Sequence, residues 1–266
     1  MITGVVIAKL LSTVALVMGL TWVAERVDTR FAGILSGMPL GALMVLIFVG
    51  NELGSDFAAT SALYAIPSLA GTLVFAGVYY LLSRTDHPAS PVAATIGAFI
   101  CQLGAAYGLS QITFTLLGGL IFITFVIALS IRLFKHIPEE RVAKRVRLTI
   151  WHLCFRAGLA AISVLSITSL SEAVGPLWAG LLIGFPITFL PFLLVIHVTY
   201  SRQHAHTVIR NFPAGLGGVI CYLATVNVYA VDLGINAAIL LGVLASLVYL
   251  AGVSYVLRNR NRKQSV

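Results

Sequence analysis

Long apolar runs divided by short polar punctuation dominate the chain, and each run approaches bilayer length. A hydrocarbon core takes about 20 apolar residues per helix. Nine segments meet or approach this: roughly 4–23, 31–50, 59–83, 90–108, 112–134, 149–170, 176–198, 212–230 and 235–257. The cuts fall at AERVDTR, NELGSD, SRTDHPAS, KHIPEERVAKRVR, LSEA, YSRQHAHTVIRN and VDLG, where polar and turn-forming residues cluster. The pattern predicts an all-α, polytopic membrane protein of about nine transmembrane helices. The first run has no small-residue cleavage site before Glu25-Arg26, so it is expected to be a span and not a signal peptide.

The pattern also repeats. Ala32-Gly33-Ile34-Leu35-Ser36-Gly37-Met38-Pro39 returns 147 positions later as Ala179-Gly180-Leu181-Leu182-Ile183-Gly184-Phe185-Pro186, and the same offset places Lys9 on Arg156. The first span thus pairs with the sixth and the second with the seventh. An offset of five spans inverts one half relative to the other. Ile66-Pro67 and Phe212-Pro213 extend the likeness weakly into the third and eighth spans. The expected architecture is two inverted-topology halves, residues 1–134 with five helices and 149–257 with four. A basic linker, 135–148, joins them, and a basic tail, 258–266, follows.

Composition sharpens this reading. Hydrophobic residues make up 59% of the chain and charged residues 10%, against about a quarter charged in soluble domains. The net charge of +8 is explained by topology, since no solvated basic face of the kind that binds nucleic acid is left over. With the N-terminus outside and the C-terminus cytoplasmic, every Lys and Arg except Lys9 and Arg156 falls on the inner side, while Glu52, Asp56, Glu172 and Asp232 fall outside. Cys101, Cys154 and Cys221 share no metal-ligand spacing and read as small packing residues.

Candidate chemistry gathers on the repeat. A cation at mid-membrane costs roughly 2.5–3.5 kcal/mol, so Lys9 and Arg156 either reach the headgroups or face a partner within the protein. No carboxylate lies in the apolar runs to neutralise them, which makes a bound anion the natural partner. Pro39 and Pro186 each remove a backbone donor, so the helices that carry them are expected to break near Gly37 and Gly184 and offer backbone groups to a ligand. Thr188 adds a hydroxyl between Pro186 and Pro191, and Gln102 adds an amide in the fourth span. His152 shares a helix face with Arg156 and reads as interfacial beside Trp151. Gly33, Gly37, Gly180 and Gly184 have the small-xxx-small spacing that lets helices approach closely, within the chain or against a second copy or partner subunit. No phosphate-binding, metal or nucleophile motif is present, and no cofactor is implied; an enzyme is not expected.

KLLSTVALVMGL before FAGILSGMPLGALMVLIFV, and RAGLAAISVLSI before WAGLLIGFPITFLPFLLVIHV, resemble the GlpM-type group of small bacterial membrane proteins, in which a basic residue in the first span precedes an AGL..FP segment. The second copy is the nearer match, because Met38 stands where Phe185 does. The resemblance covers about 45 residues in each half. It implies a bacterial inner-membrane location and a fold of duplicated short units, and it supplies no substrate.

The expectation is therefore a secondary transporter or exporter of a small anionic solute, working by alternating access. Lys9, Arg156, Gly37, Pro39, Gly184, Pro186, Thr188 and Gln102 are its candidate binding residues. The alternative is an accessory membrane subunit contacting a partner or lipids, or a lipid flippase or scramblase, which a groove open sideways to the bilayer would favour.

Overall fold

A computed structural model describes residues 11, 14–15, 38–85, 87, 90–140 and 150–264; the side chains of 150, 152, 153, 156 and 256–264 lie outside that description. Among these residues there are eight α-helices and no strand: α1 (Leu40–Leu53), α2 (Ser55–Leu82), α3 (Ser90–Ser110), α4 (Leu116–Phe134), α5 (Ile150–Ile183), α6 (Phe189–Thr199), α7 (Arg202–Leu233) and α8 (Ile235–Gln264). Six are long and apolar enough to cross a membrane, while α1 and α6 are short apolar helices. The expected first span lies outside the described residues.

Single glycines make the tightest links. Gly54 joins α1 to α2 at φ 95°, ψ 166°, and Gly234 joins α7 to α8 at φ 80°, ψ 154°. Gly175 divides α5 at φ 77°, ψ 171°, immediately before Pro176. This backbone region is essentially closed to residues with a Cβ. Each of these glycines therefore turns the chain within one residue, where the sequence pattern placed short loops.

At the centre stands α2, which packs on α1, α3, α4, α5 and α7. Within its apolar window 67% of residues are buried, against 17% in α4, which lies at the outside of the bundle. Small residues allow this crowding: Ala58, Ser61, Ala62, Ala65, Ser68, Gly71 and Thr72 give neighbouring backbones room to approach. Between α2 and α7, Asn227 Nδ2 donates to the Ala59 carbonyl at 2.9 Å, and the Ser83 hydroxyl lies 2.9 Å from His206 Nε2. Pairs at both ends fix these helices as antiparallel.

Charge separates between the ends of the bundle. The C-terminal ends of α2, α4 and α6 meet the N-terminal end of α7, gathering Arg84, Arg132, Lys135, Arg202 and Arg210. There Arg210 Nη1 donates to the Ile137 carbonyl at 2.6 Å and its Nη2 lies 3.6 Å from Glu139. Glu140 N donates to Thr207 Oγ1 at 3.0 Å, and the Tyr79 hydroxyl pairs with His197 Nδ1 at 2.8 Å. At the other end Asn51 donates to Asn236 at 3.4 Å, which draws Glu52 and Asp56 towards Asp232.

Several boundaries differ from expectation for local reasons. The segment 176–198 is two helical pieces, because Gly184 to Thr188 leave the helix between α5 and α6. The linker expected at 135–148 is docked on α7 over its first six residues, and 141–149 lie outside the description. The tail expected from 258 continues as helix to Gln264. Of the cysteines, Cys101 and Cys154 are exposed on the outer surface instead of packed.

Candidate functional site

The two repeated proline segments have the same backbone hydrogen bonds. Leu40 N donates to the Met38 carbonyl at 2.8 Å, and at the equivalent place Ile187 N donates to the Phe185 carbonyl at 2.7 Å. Three residues on, Leu43 N donates to the Pro39 carbonyl at 2.6 Å and Leu190 N to the Pro186 carbonyl at 2.9 Å. Each proline lacks an N–H, so a tight turn spans it and a new helix starts just beyond. Pro186 also removes the usual partner of the Leu182 carbonyl; Phe185 N takes its place at 3.0 Å.

These two turns meet. A Cβ built on Gly41 would stand 2.8 Å from Ile187 Cβ, so the absence of a side chain at 41 lets one broken segment lie directly on the other. Met38, Pro39, Gly184, Pro186 and Thr188 wall a common cavity of about 50 Å³, closed by Thr72 from α2 and Phe212 from α7. Phe189 and Phe212 stack beside it with ring centroids 3.8 Å apart. Helix α6 begins after Thr188 and α1 after Pro39, and neither start has a side-chain cap. Two helix N-termini thus border one small cavity, with Leu40 N and Leu190 N already bonded to the Met38 and Pro186 carbonyls and no N–H at Pro191, the third residue of α6.

Polar side chains from α2 and α3 hold the break open. The Gly184 carbonyl accepts from the Thr72 hydroxyl and from Gln102 Nε2, the latter at 3.2 Å. The Ser68 hydroxyl lies 3.4 Å from the Gly180 carbonyl, and a Cβ at either glycine would strike α2, at Ser61 and Tyr64 for Gly180 and at Ser68 for Gly184. Gly180 and Gly184 therefore make their close approach inside the chain, against α2. Gln102 is 2% exposed, and its Oε1 has no hydrogen-bond partner among the described residues.

Of the eight residues expected at the site, Pro39, Gly184, Pro186 and Thr188 line the cavity and Gln102 bonds to Gly184. Lys9 and Gly37 lie outside the described residues, as does Gly33; Arg156 is placed in α5 by its backbone alone, and so is His152. Thr72 and Ser68 were not among the expected residues. A signal for them exists: Ser61, Ser68, Thr72, Tyr79 and Ser83 recur at helical spacing along one face of α2, beside Pro67.

Long apolar helices and small-residue packing define a multi-pass membrane protein of the helical class. No family model, curated protein or solved structure matches the chain. Among the described residues no cluster of His, Cys, Asp or Glu is suited to a metal ion.

Proposed function

We propose that this protein is a secondary transporter or exporter of a small anionic solute, with its site where the two proline segments cross. The observation that carries this is the contact of Gly41 with Ile187 between two turns of matching hydrogen-bond pattern. Crossed, discontinuous helices near the bilayer midplane place backbone groups and helix ends against a substrate, and they give each half a joint about which to rock. Two uncapped helix starts favour an anion. Lys9 and Arg156 would add full charges, one from each repeat. The 50 Å³ cavity suits an occluded or substrate-free state of such a site.

In this reading the halves are inverted repeats, and the basic end of the bundle faces the cytoplasm under the positive-inside rule. The antiparallel pairing of α2 with α7, the third and eighth spans of the sequence pattern, is the relation that an inversion between halves requires.

The test is uptake and efflux of a panel of organic and inorganic anions in proteoliposomes, for wild type, Lys9→Ala, Arg156→Gln and Thr72→Val. Loss of flux in each variant, with thermal stability retained, supports the proposal. Absence of flux for every anion with the wild-type protein overturns it in favour of an accessory role.

A further inference from the structure

Gln102 has an acceptor to spare in the interior of the protein. Its Nε2 is engaged by the Gly184 carbonyl, while its Oε1, in a side chain 2% exposed, has no hydrogen-bond partner among the described residues. A buried oxygen left this way is destabilising, so the place suits a donor or a positive charge. Its immediate surroundings are further oxygens: the Gly184 carbonyl and, bonded to it, the Thr72 hydroxyl. Helix α5 ends at Ile183, so the Gly184 carbonyl stands at the negative end of that helix, where the backbone dipoles favour a cation. Thr72, Gln102 and Gly184 are all buried, and the elements that bury them are α2, α3 and the break itself. Phe99, one turn before Gln102, packs on Phe185 with ring centroids 5.8 Å apart, so aromatic rings flank the cluster. Thr72 and Gly184 also wall the crossing cavity, whose 50 Å³ exceeds the roughly 10–15 Å³ that one water requires.

Spacing and charge select the ion. A half-turn of the Gln102 amide about its last side-chain bond puts Oε1 where Nε2 now stands, 3.2 Å from the Gly184 oxygen. Two oxygens that share a cation at right angles, each about 2.3–2.6 Å from it, stand about 3.3–3.7 Å apart. The observed spacing lies at the short edge of that range and is too tight for the larger potassium ion. Thr72 frees a lone pair for the ion by turning its hydrogen away from the carbonyl. No carboxylate belongs to the set, and neutral oxygens leave a second positive charge uncompensated in a buried place, which disfavours a divalent ion. We infer that the Gly184 carbonyl, the Thr72 hydroxyl and the Gln102 amide oxygen form a sodium site, completed by water from the crossing cavity. Unwound carbonyls at the C-terminal end of a half-helix hold coupling ions in transporters built from broken helices. Sodium binding stands on this geometry alone; its part as a coupling ion rests on the transport reading above.

The experiment measures binding of radioactive sodium to the full-length protein in lipid nanodiscs, with potassium as competitor. It is paired with thermal unfolding in sodium chloride and in potassium chloride at equal ionic strength. The expected result is saturable binding of about one sodium ion per chain, resistant to potassium, and a melting temperature raised by sodium. Thr72→Val and Gln102→Leu should each weaken sodium binding about tenfold or more, because each removes one of few protein ligands. Thr72→Ser keeps the hydroxyl and should bind as wild type does, and so should Gly104→Ala, on α3 but away from the site. Melting in potassium chloride reports that each variant is folded, and Thr72→Ser decides the question if the valine variant is not. Equal melting in both salts with no saturable sodium binding would overturn the inference, leaving Oε1 to an ordinary buried water. Sodium binding unchanged in both Thr72→Val and Gln102→Leu would overturn it as well. Anion flux that ignores a sodium gradient, in a protein that binds no sodium, would leave the transport reading standing and defeat this site. Saturable, Gln102-dependent sodium binding without flux of any anion would uphold the site and defeat the transport reading.

Discussion

Gly41 and Ile187, 146 residues apart, touch where the two proline segments pass each other. Gly41→Val should therefore lower the melting temperature in detergent by several degrees, because the new side chain meets the Ile187 Cβ, and the overpacking costs about 1–3 kcal/mol. Gly104→Ala is the comparison, since a Cβ there meets nothing within 4 Å. It should be neutral or stabilising by about 0.5–1 kcal/mol, as expected for Gly to Ala within a helix. Thermal unfolding of the two variants beside wild type measures both.

Open space does not make every glycine replaceable. Gly54, Gly175 and Gly234 also have nothing within 4 Å of a built Cβ, yet all three have positive φ. Alanine at each should destabilise by about 1–3 kcal/mol through the backbone alone. A loss no greater than that of Gly104→Ala in the same thermal assay would contradict the one-residue links.

Thr72 and Gln102 donate to one carbonyl, that of Gly184. Thr72→Val and Gln102→Leu should each cost about 1 kcal/mol or less, because the remaining donor still satisfies the oxygen. The double variant should lose more than the two single losses combined, since it leaves a buried carbonyl without a donor. A double-mutant cycle on thermal stability measures this coupling, and strict additivity would refute the shared acceptor.

Arg210 fastens the start of the linker to α7 through Ile137 and Glu139. In Arg210→Ala, trypsin should cut the 135–148 stretch several-fold faster than in wild type, with cleavage seen in inside-out vesicles and absent from right-side-out ones. Glu139→Gln should have a smaller effect, because the bond to the Ile137 carbonyl persists. Cleavage restricted to right-side-out vesicles would reverse the proposed orientation.

What could be read from the sequence was whatever is encoded locally. Pro186 announces a broken helix because the missing N–H acts within one turn, and Gly184 lies where the break occurs; at Pro39 the described residues show the helix that starts after it. Long apolar helices were legible from apolar length, but six among the described residues are long enough to cross a membrane where nine spans were expected; the grouping of Arg84, Arg132, Lys135, Arg202 and Arg210 at one end agrees with the alternation of apolar runs. What joins the break to the rest of the protein was not legible. Thr72 lies 112 residues from Gly184, and nothing near either residue names the other. The small-xxx-small spacing of Gly180 and Gly184 is equally suited to an internal or an external neighbour, and only the packed bundle assigns α2 to it. The oxygen cluster at Gly184 arises from three separate helices, so no single stretch of sequence carries its outline.

The doubly accepted Gly184 carbonyl has a mechanical consequence. It clamps the chain at the break to α2 through Thr72 and to α3 through Gln102, so that segment cannot slide without cutting two bonds at once. Against α1 the same stretch packs through the bare surface of Gly41 on Ile187. Any displacement of the break would therefore have to carry α2 and α3 with it or cut both bonds.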